Sequence, residues 1–245
     1  MAAPRCRFCN SEYTTYFRDI PLRRIKQNAP LYFCMVCECM WHPQDCVEPD
    51  DQLKRDAEWH ISVEDRNTPW INNFLNAAVA RKPIKSFIEI GCGTSTMRSI
   101  GRERGMDVIG YDTNPVAAPI ALARHNIEIQ PCLWGHDTLS KKYDLVVCIS
   151  TLEHVPDPNG LIHEIATYCK RHGSAAFVSV PFTCERSQWH FLLEPVPKDI
   201  SNPYYLSDVH INHFSRHGFE QMCWRHGATK VDFFPRGWIG YWLEF

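Results

Sequence analysis

No apolar run in the 245 residues approaches the roughly 20 residues that a membrane-spanning helix needs. The opening Met1-Ala-Ala-Pro-Arg-Cys6 lacks the apolar centre of a secretory signal, so a cytoplasmic protein is expected. Net charge is also scarce, at −2, which excludes a global field pulling the chain onto nucleic acid or an anionic membrane. Arg18, Arg23, Arg24 and Lys26 form at most a modest basic patch, more readily read as solvated surface. Internal repeats and low-complexity tracts are missing, which excludes repeat arrays. The 44% hydrophobic content allows one good core and a small appendage.

Cysteine is plentiful, and its placement is uneven. Of twelve, six precede residue 47: Cys6, Cys9, Cys34, Cys37, Cys39 and Cys46. Secreted disulfide scaffolds are shorter and spread their cysteines more evenly. The front set therefore reads as metal ligation and the scattered six as small buried hydrophobes. Cys6-x2-Cys9 and Cys34-x2-Cys37 are two knuckles separated by 24 residues. Each turn aims two thiolates at one centre, and two such turns complete a tetrahedral structural Zn²⁺ site. Cys39, His42 and Cys46 are competing ligands. Asn10 and Glu38 stand where a glycine often follows the second cysteine of a knuckle.

The chain divides in sequence into a metal module (1–49), a linker and N-terminal helix (50–84) and an α/β domain (85–245). The front has too little apolar periodicity to build its own core. Asp50 to Asp65 is acidic and suits a solvated helix or linker. Thr68 and Pro69 look like a cap and first position of a helix running to about Arg81. From Lys85 strands alternate with helices. Strands are expected at 86–90, 107–111, 127–129, 143–149 and 174–180, with helices after Pro115, at 159–170 and at 214–224. Residues 230–234 and 238–245 read as a terminal hairpin.

Glu89-Ile-Gly-Cys-Gly-Thr-Ser95 ends the first strand of this domain, where open α/β sheets bind ligands. Gly91 and Gly93 let the backbone turn sharply. Asp112 ends the next strand, placed to accept from ribose hydroxyls. The dinucleotide fingerprint wants a third glycine at Thr96, and none is there. Glu89 supplies a carboxylate suited to the amino group of a methionine moiety. Both features favour a methyl donor over NAD.

These segments resemble class I S-adenosylmethionine-dependent methyltransferases. Phe87 to Thr94 resembles their first motif and Tyr111-Asp-Thr-Asn-Pro115 their second. Tyr143 to Pro158 is similar to the fourth-strand motif and its loop, Phe177 to Pro181 to the next strand, and Val209 to Ser215 to the segment before the last large helix. The resemblance covers roughly 50–245. It implies a Rossmann-like seven-stranded sheet whose last strand is antiparallel, S-adenosylmethionine as cofactor, and a donor site of Glu89, Gly91, Cys92, Gly93, Asp112, Thr113 and Ser150. Ser95 stands where this family often has a glycine of its own, and Gln130-Pro-Cys-Leu-Trp134 lacks the acidic residue that often holds adenine. The zinc-ribbon-like front is similar to the leader of bacterial sugar C-methyltransferases and related polysaccharide-cluster enzymes. Those enzymes carry a further large domain, so their particular substrate is not carried over.

Transfer to an ordinary hydroxyl needs a base, and His154 in the loop after the fourth strand suits that role, with His210 and His190 behind it. Glu153 and His154 match part of a metal-binding pattern of some methyltransferases. Ser150 stands where its first acidic ligand belongs, so catalytic Mg²⁺ is not expected. His213 is read as a structural residue at a helix start. Trp189, Phe191, Tyr204 and Tyr205 lie where an acceptor pocket or lid would form. The leading expectation is an enzyme methylating a small molecule, such as a sugar or glycan precursor. The alternatives are an RNA or protein methyltransferase that docks its polymer on the zinc module, and a non-catalytic scaffold that has lost donor binding.

Overall fold

The computed structural model describes residues 3–22, 27–42, 50–182, 184, 210–236 and 238–245. The front forms strands β1 (Thr14–Leu22), β2 (Gln27–Cys34) and β3 (Met40–Trp41). Helices α1 (Asp50–Ser62) and α2 (Glu64–Arg81) follow, then β4 (Ser86–Ile90), α3 (Thr96–Glu103), β5 (Asp107–Tyr111), α4 (Ala117–His125), β6 (Leu145–Ile149), α5 (Pro158–His172) and β7 (Ala175–Ser179). The chain ends with β8 (Asn212–His213), α6 (Arg216–Arg225), β9 (Lys230–Arg236) and β10 (Trp238–Glu244).

Contacts divide these elements into two units built from non-contiguous segments. One contains Met1–Glu48, Leu152–Ile162 and Val180–His226; the other contains Pro49–Thr151, His163–Ser179 and Gly227–Phe245. We call them the cysteine-rich unit and the sheet unit.

The sheet unit carries a six-stranded sheet in the order β5-β4-β6-β7-β10-β9. Strands β5, β4, β6 and β7 are parallel, while β10 runs antiparallel between β7 and β9. Strands β4, β6 and β7 are short, mostly buried apolar runs, as expected for strands covered on both faces, while β5 at the sheet edge is buried only at Gly110 and Tyr111. Helix α2 buries Ile71, Phe74, Leu75 and Ala78, the i, i+3, i+4, i+7 stripe of a helix with one apolar face. They join Phe87, Leu145, Val147, Phe177, Phe234 and Trp242 in one core, where the Phe74 and Phe177 rings lie 4.5 Å apart.

Two sequence expectations are corrected here. The helix expected to start at Thr68-Pro69 starts at Glu64, with Pro69 inside it. Glu64 and Asp65 in the first turn favour the positive end of the helix dipole. Thr68 Oγ1 donates back to the Glu64 carbonyl at 3.0 Å, so it is no cap, and Pro69 forfeits only one backbone bond. The strand expected at 127–129 is reduced to a single parallel bridge between Tyr111 and Gln130, so six strands and one bridge replace seven strands. Arg98 takes the Glu128 carbonyl at 2.9 Å, and Pro131 has no N–H with which to continue a ladder.

In the cysteine-rich unit the sheet order is β1-β2-β3-β8. Its outer strand β8 comes from far along the chain, with Met40 opposite His213 and Trp41 opposite Asn212. The front also takes its core from that distant segment. Phe8 stands edge-on to Trp41 at 6.1 Å and to Phe214 at 5.1 Å, and Phe214 does the same to Phe219 at 6.2 Å. Ser215 caps α6 by accepting from Gly218 N at 2.8 Å, and donates to the Cys37 carbonyl at 2.7 Å. A Cβ on Gly218 would lie 2.3 Å from Cys39 Sγ and 2.5 Å from Cys37 O, so only glycine allows this approach.

Candidate functional site

In the sheet unit, β4 ends in a turn held by its neighbour. Gly91 N and Cys92 N donate to the Tyr111 carbonyl at 2.8 and 3.2 Å. Gly91 and Gly93 have φ of +70° and +48°. Ser95, at the family's glycine position, has φ +75° and is itself left-handed. Asp112 locks the turn: Oδ2 accepts from Gly93 N at 2.7 Å and Oδ1 from Asn114 N at 2.8 Å. Each carboxylate oxygen keeps acceptor capacity for a diol. Cys92 is buried, whereas Thr113 and Ser150 are exposed, and Ser150 has φ +50°.

The space left by the glycines is partly filled by this chain. A Cβ on Gly91 would lie 2.1 Å from Thr151 Oγ1, and one on Gly93 would lie 3.1 Å from the His60 ring. Sequence reading missed His60. It lies in α1, which is fastened to the loop after β5 by Asn114 Nδ2 donating to the Leu53 carbonyl at 2.8 Å. Burial holds the His60 imidazole below its ordinary pKa, against the pull of the Asp112 and Asp56 carboxylates.

Arg98 was missed as well. It is buried in α3, with Nε 3.9 Å from Glu89 Oε2, and neither of these two atoms has a hydrogen-bond partner. Its Nη2 donates to Ser95 Oγ. A Cβ on Gly110 would lie 2.5 Å from the guanidinium, so that glycine opens the slot for it. Burial pushes Glu89 up to about 8; Arg98 counters this and Asp112 adds to it. The carboxylate is thus only partly compensated, which fits a site that receives a further cation. The sequence signal was available: an arginine in the first turns of a helix that packs on a glycine-bearing strand.

In the cysteine-rich unit, the loop after β6 meets the segment before β8. Ile211 N and Asn212 N donate to the Glu153 carbonyl at 2.9 and 3.0 Å. The Asn212 amide donates to the carbonyls of Leu152 and Val155 at 2.8 and 2.7 Å, and its Oδ1 accepts from Arg7 at 3.1 Å. This brings Glu153, His154 and His210 together, their ligand atoms all within 4.8 Å. The His154 and His210 rings are 4.8 Å apart. Glu153 is buried and burial pushes its pKa up to about 8. His213 lies in β8, before the α6 cap, and faces buried His42 at 5.4 Å. His190, Trp189, Phe191, Tyr204 and Tyr205 lie outside the described residues.

Cys6, Cys9, Cys34 and Cys37 converge in the same unit, their sulfurs within 4.8 Å of one another. Cys6–Cys37 and Cys9–Cys34 are both 3.5 Å apart, too far for disulfides at about 2.05 Å. A tetrahedron of thiolates about 2.3 Å from zinc has edges of about 3.8 Å, so the spacing fits that ion. Asn10 and Glu38 are left-handed, with φ of +59° and +57°, at the positions where glycine is usual. Cys39 instead lies 3.7 Å from Ser215 Oγ, and His42 Nδ1 pairs with the Pro30 carbonyl at 3.0 Å. Cys46 is outside the described residues.

Among the described residues, no helix is long and apolar enough to cross a membrane. The ubiquinone biosynthesis O-methyltransferase of Erwinia tasmaniensis is 31% identical over 117 residues, covering 44% of this chain and 46% of its own. That of Sodalis glossinidius is 29% identical over 153 residues, covering 56% and 61%. The chain thus spans about half the length of the curated relatives it matches. Similar folds occur in the plantazolicin methyltransferase BamL (TM-score 0.53, 14% identity, 76% of this chain and 72% of that one). A possible histamine N-methyltransferase from Thermotoga maritima is similar too (TM-score 0.51, 16% identity, 74% and 80%). The profile of the methyltransferase domain family matches residues 62–232, most of the sheet and its connections, and the chain therefore belongs to that family.

Proposed function

We propose that this chain transfers the methyl group of S-adenosylmethionine to a hydroxyl of a small-molecule acceptor, and that a structural Zn²⁺ on Cys6, Cys9, Cys34 and Cys37 holds its front. The observation that carries the donor reading is Asp112 locked to Gly93 N at 2.7 Å, at the carboxyl ends of β4 and β5. Next to β4 the chain order reverses across the sheet, which is where open α/β sheets take ligands. In this reading Asp112 accepts from the ribose diol, while Glu89 receives the ammonium of the methionine moiety. Gly91, Cys92, Gly93, Thr113 and Ser150 form the remaining donor wall. Residues 1–49 act as the zinc module, 50–84 are the linker and N-terminal helix region, from which His60 stands over Gly93, and 85–245 carry the chemistry.

S-adenosylmethionine supplies an electrophilic methyl on a sulfonium. The protein's share is to align the acceptor, exclude water and remove one proton. We assign proton removal to His154, with His210 and His190 as the other candidates. The names of the curated relatives support a hydroxyl acceptor; the resemblance of the front to sugar-modifying enzymes supports a sugar or glycan precursor. Calorimetry with S-adenosylhomocysteine tests the donor site, and labelled donor with candidate sugars and phenols tests the acceptor. Tight binding of NAD with none of S-adenosylhomocysteine overturns the reading.

A further inference from the structure

We propose that Glu153, His154 and His210 form a second metal site, one that takes a divalent transition ion such as Zn²⁺, Mn²⁺, Fe²⁺ or Co²⁺. Three observations carry it. The three ligand atoms lie within 4.8 Å of one another, and Glu153 Oε1 is 4.0 Å from His154 Nε2. Ligands about 2.1 Å from one ion stand at most about 4.2 Å apart, so closure needs a movement of roughly half an ångström. Glu153 Oε2 is buried and has no hydrogen-bond partner, an arrangement that is costly unless a cation arrives. Finally, the backbone is built around the cluster. Four hydrogen bonds, two from Ile211 N and Asn212 N and two from the Asn212 amide, clamp the His210 segment to residues 152–155.

The donor set selects the ion. Two imidazoles and one carboxylate suit borderline transition metals, whereas Mg²⁺ prefers an all-oxygen shell. Three protein ligands also leave coordination positions open, as in catalytic rather than structural sites. The structural thiolate site is a separate set of residues.

The role of the ion rests on the methyl-transfer reading; its binding does not. An acceptor hydroxyl that coordinates the ion loses its proton to solvent at neutral pH. His154 and His210 would serve as ligands in this scheme, so His154 would act on the acceptor proton through the ion, and His154→Ala would slow turnover by loss of the ion.

The test is a Co²⁺ titration of full-length protein whose thiolate site is filled with zinc, followed by absorption and metal analysis. One equivalent of Co²⁺ should bind with weak visible bands and without the near-ultraviolet charge-transfer band of a Co–thiolate site. Affinity should fall at least tenfold in both Glu153→Gln and His154→Ala/His210→Ala, with zinc content unchanged. The double variant removes no buried carboxylate, so it keeps the test valid if Glu153→Gln folds poorly. Absence of stoichiometric Co²⁺ binding, undiminished binding in the double variant, or a thiolate band lost with Cys9→Ser each overturns the proposal. Co²⁺ binding without S-adenosylhomocysteine binding leaves the metal site standing and removes the methyl-transfer reading. The reverse result removes the metal site alone.

Discussion

The two units keep their structure by different means. The sheet unit buries a continuous apolar core, from Ile71 and Phe74 in α2 through Phe87 and Val147 to Trp242. Its stability comes from area removed from water and from close packing. The cysteine-rich unit has a short sheet, edge-on aromatics and side-chain bonds to backbone. Ser215 reaches Cys37 O, Arg7 reaches His42 O at 2.7 Å, and Arg225 reaches Phe8 O. Where a small segment has little apolar area, directional contacts replace it, and the proposed ion on the four thiolates would add to them. Insults to the two units should therefore have separable effects.

The largest expected effect is loss of the thiolate ion. Strong chelation, or Cys9→Ser, should remove about one equivalent of zinc and expose the front to protease, since structural zinc contributes on the order of 10 kcal/mol. Donor affinity, which the proposed function assigns to residues of the sheet unit, should survive. A metal-free wild type that stays protease-resistant in residues 3–42 would exclude a folding role for zinc.

Turnover comes next. His154→Ala should slow it about 10²–10⁴-fold while S-adenosylhomocysteine affinity changes little. A pH–rate profile of the wild type should have an ascending limb that the variant lacks. Near-normal turnover by the variant at every pH moves the role to His210 or His190.

A smaller effect is expected at Asp112. Asp112→Ala should weaken S-adenosylhomocysteine binding by roughly 1–3 kcal/mol, about 5–150-fold. Because Asp112 also holds Gly93 N and Asn114 N, Asp112→Asn serves as the control that keeps a turn acceptor. Zinc content should not change in either variant. Equal donor affinity in wild type and both variants would remove Asp112 from the donor site.

Glu89 gives the sheet unit a pH signature of its own. Its pKa rises from 4.5 to about 8 in the folded state. Over that window the native state holds more protons than the unfolded chain, so this group makes stability fall as pH rises from about 4.5 towards 8. Glu89→Gln should flatten that slope in denaturant titrations. An unchanged slope would show that Arg98 compensates the charge fully.

The smallest effect is a gain. Glu38 is left-handed with φ +57°, a conformation costing a side chain about 1–2 kcal/mol. Glu38→Gly should stabilise the cysteine-rich unit by about 0.5–1 kcal/mol, the strain relieved minus the extra chain entropy of glycine. A lower melting temperature would mean that the knuckle uses the Glu38 side chain.

Local chemistry was legible where it is dense in the chain. Strands β4, β6 and β7 announce themselves as short apolar runs, because a doubly covered parallel strand has no polar face, and the edge strand β5 by its run from Val108 to Tyr111 before Asp112. The Glu89 to Ser95 turn and Asp112 were legible because a tight turn demands glycine. The two knuckles were legible because a thiolate pair needs a fixed spacing. Pro69 misled the reading of α2 because a proline preference for the first turn is only a preference. Ile127 and Ile129 carry the apolar pattern of a strand, yet the Glu128 carbonyl between them accepts from Arg98 instead.

The parallel strands, the glycine turn after β4 and the four knuckle cysteines are thus written in the chain, each a matter of a few neighbouring residues. Tertiary structure alone decided that Asn212 and His213 complete the front sheet, that His60 stands over Gly93, and that His210 joins Glu153 and His154. Each of these pairs residues far apart along the chain. No local propensity encodes such a pairing; it follows only when burial of the cores and hydrogen bonding of buried backbone are satisfied together.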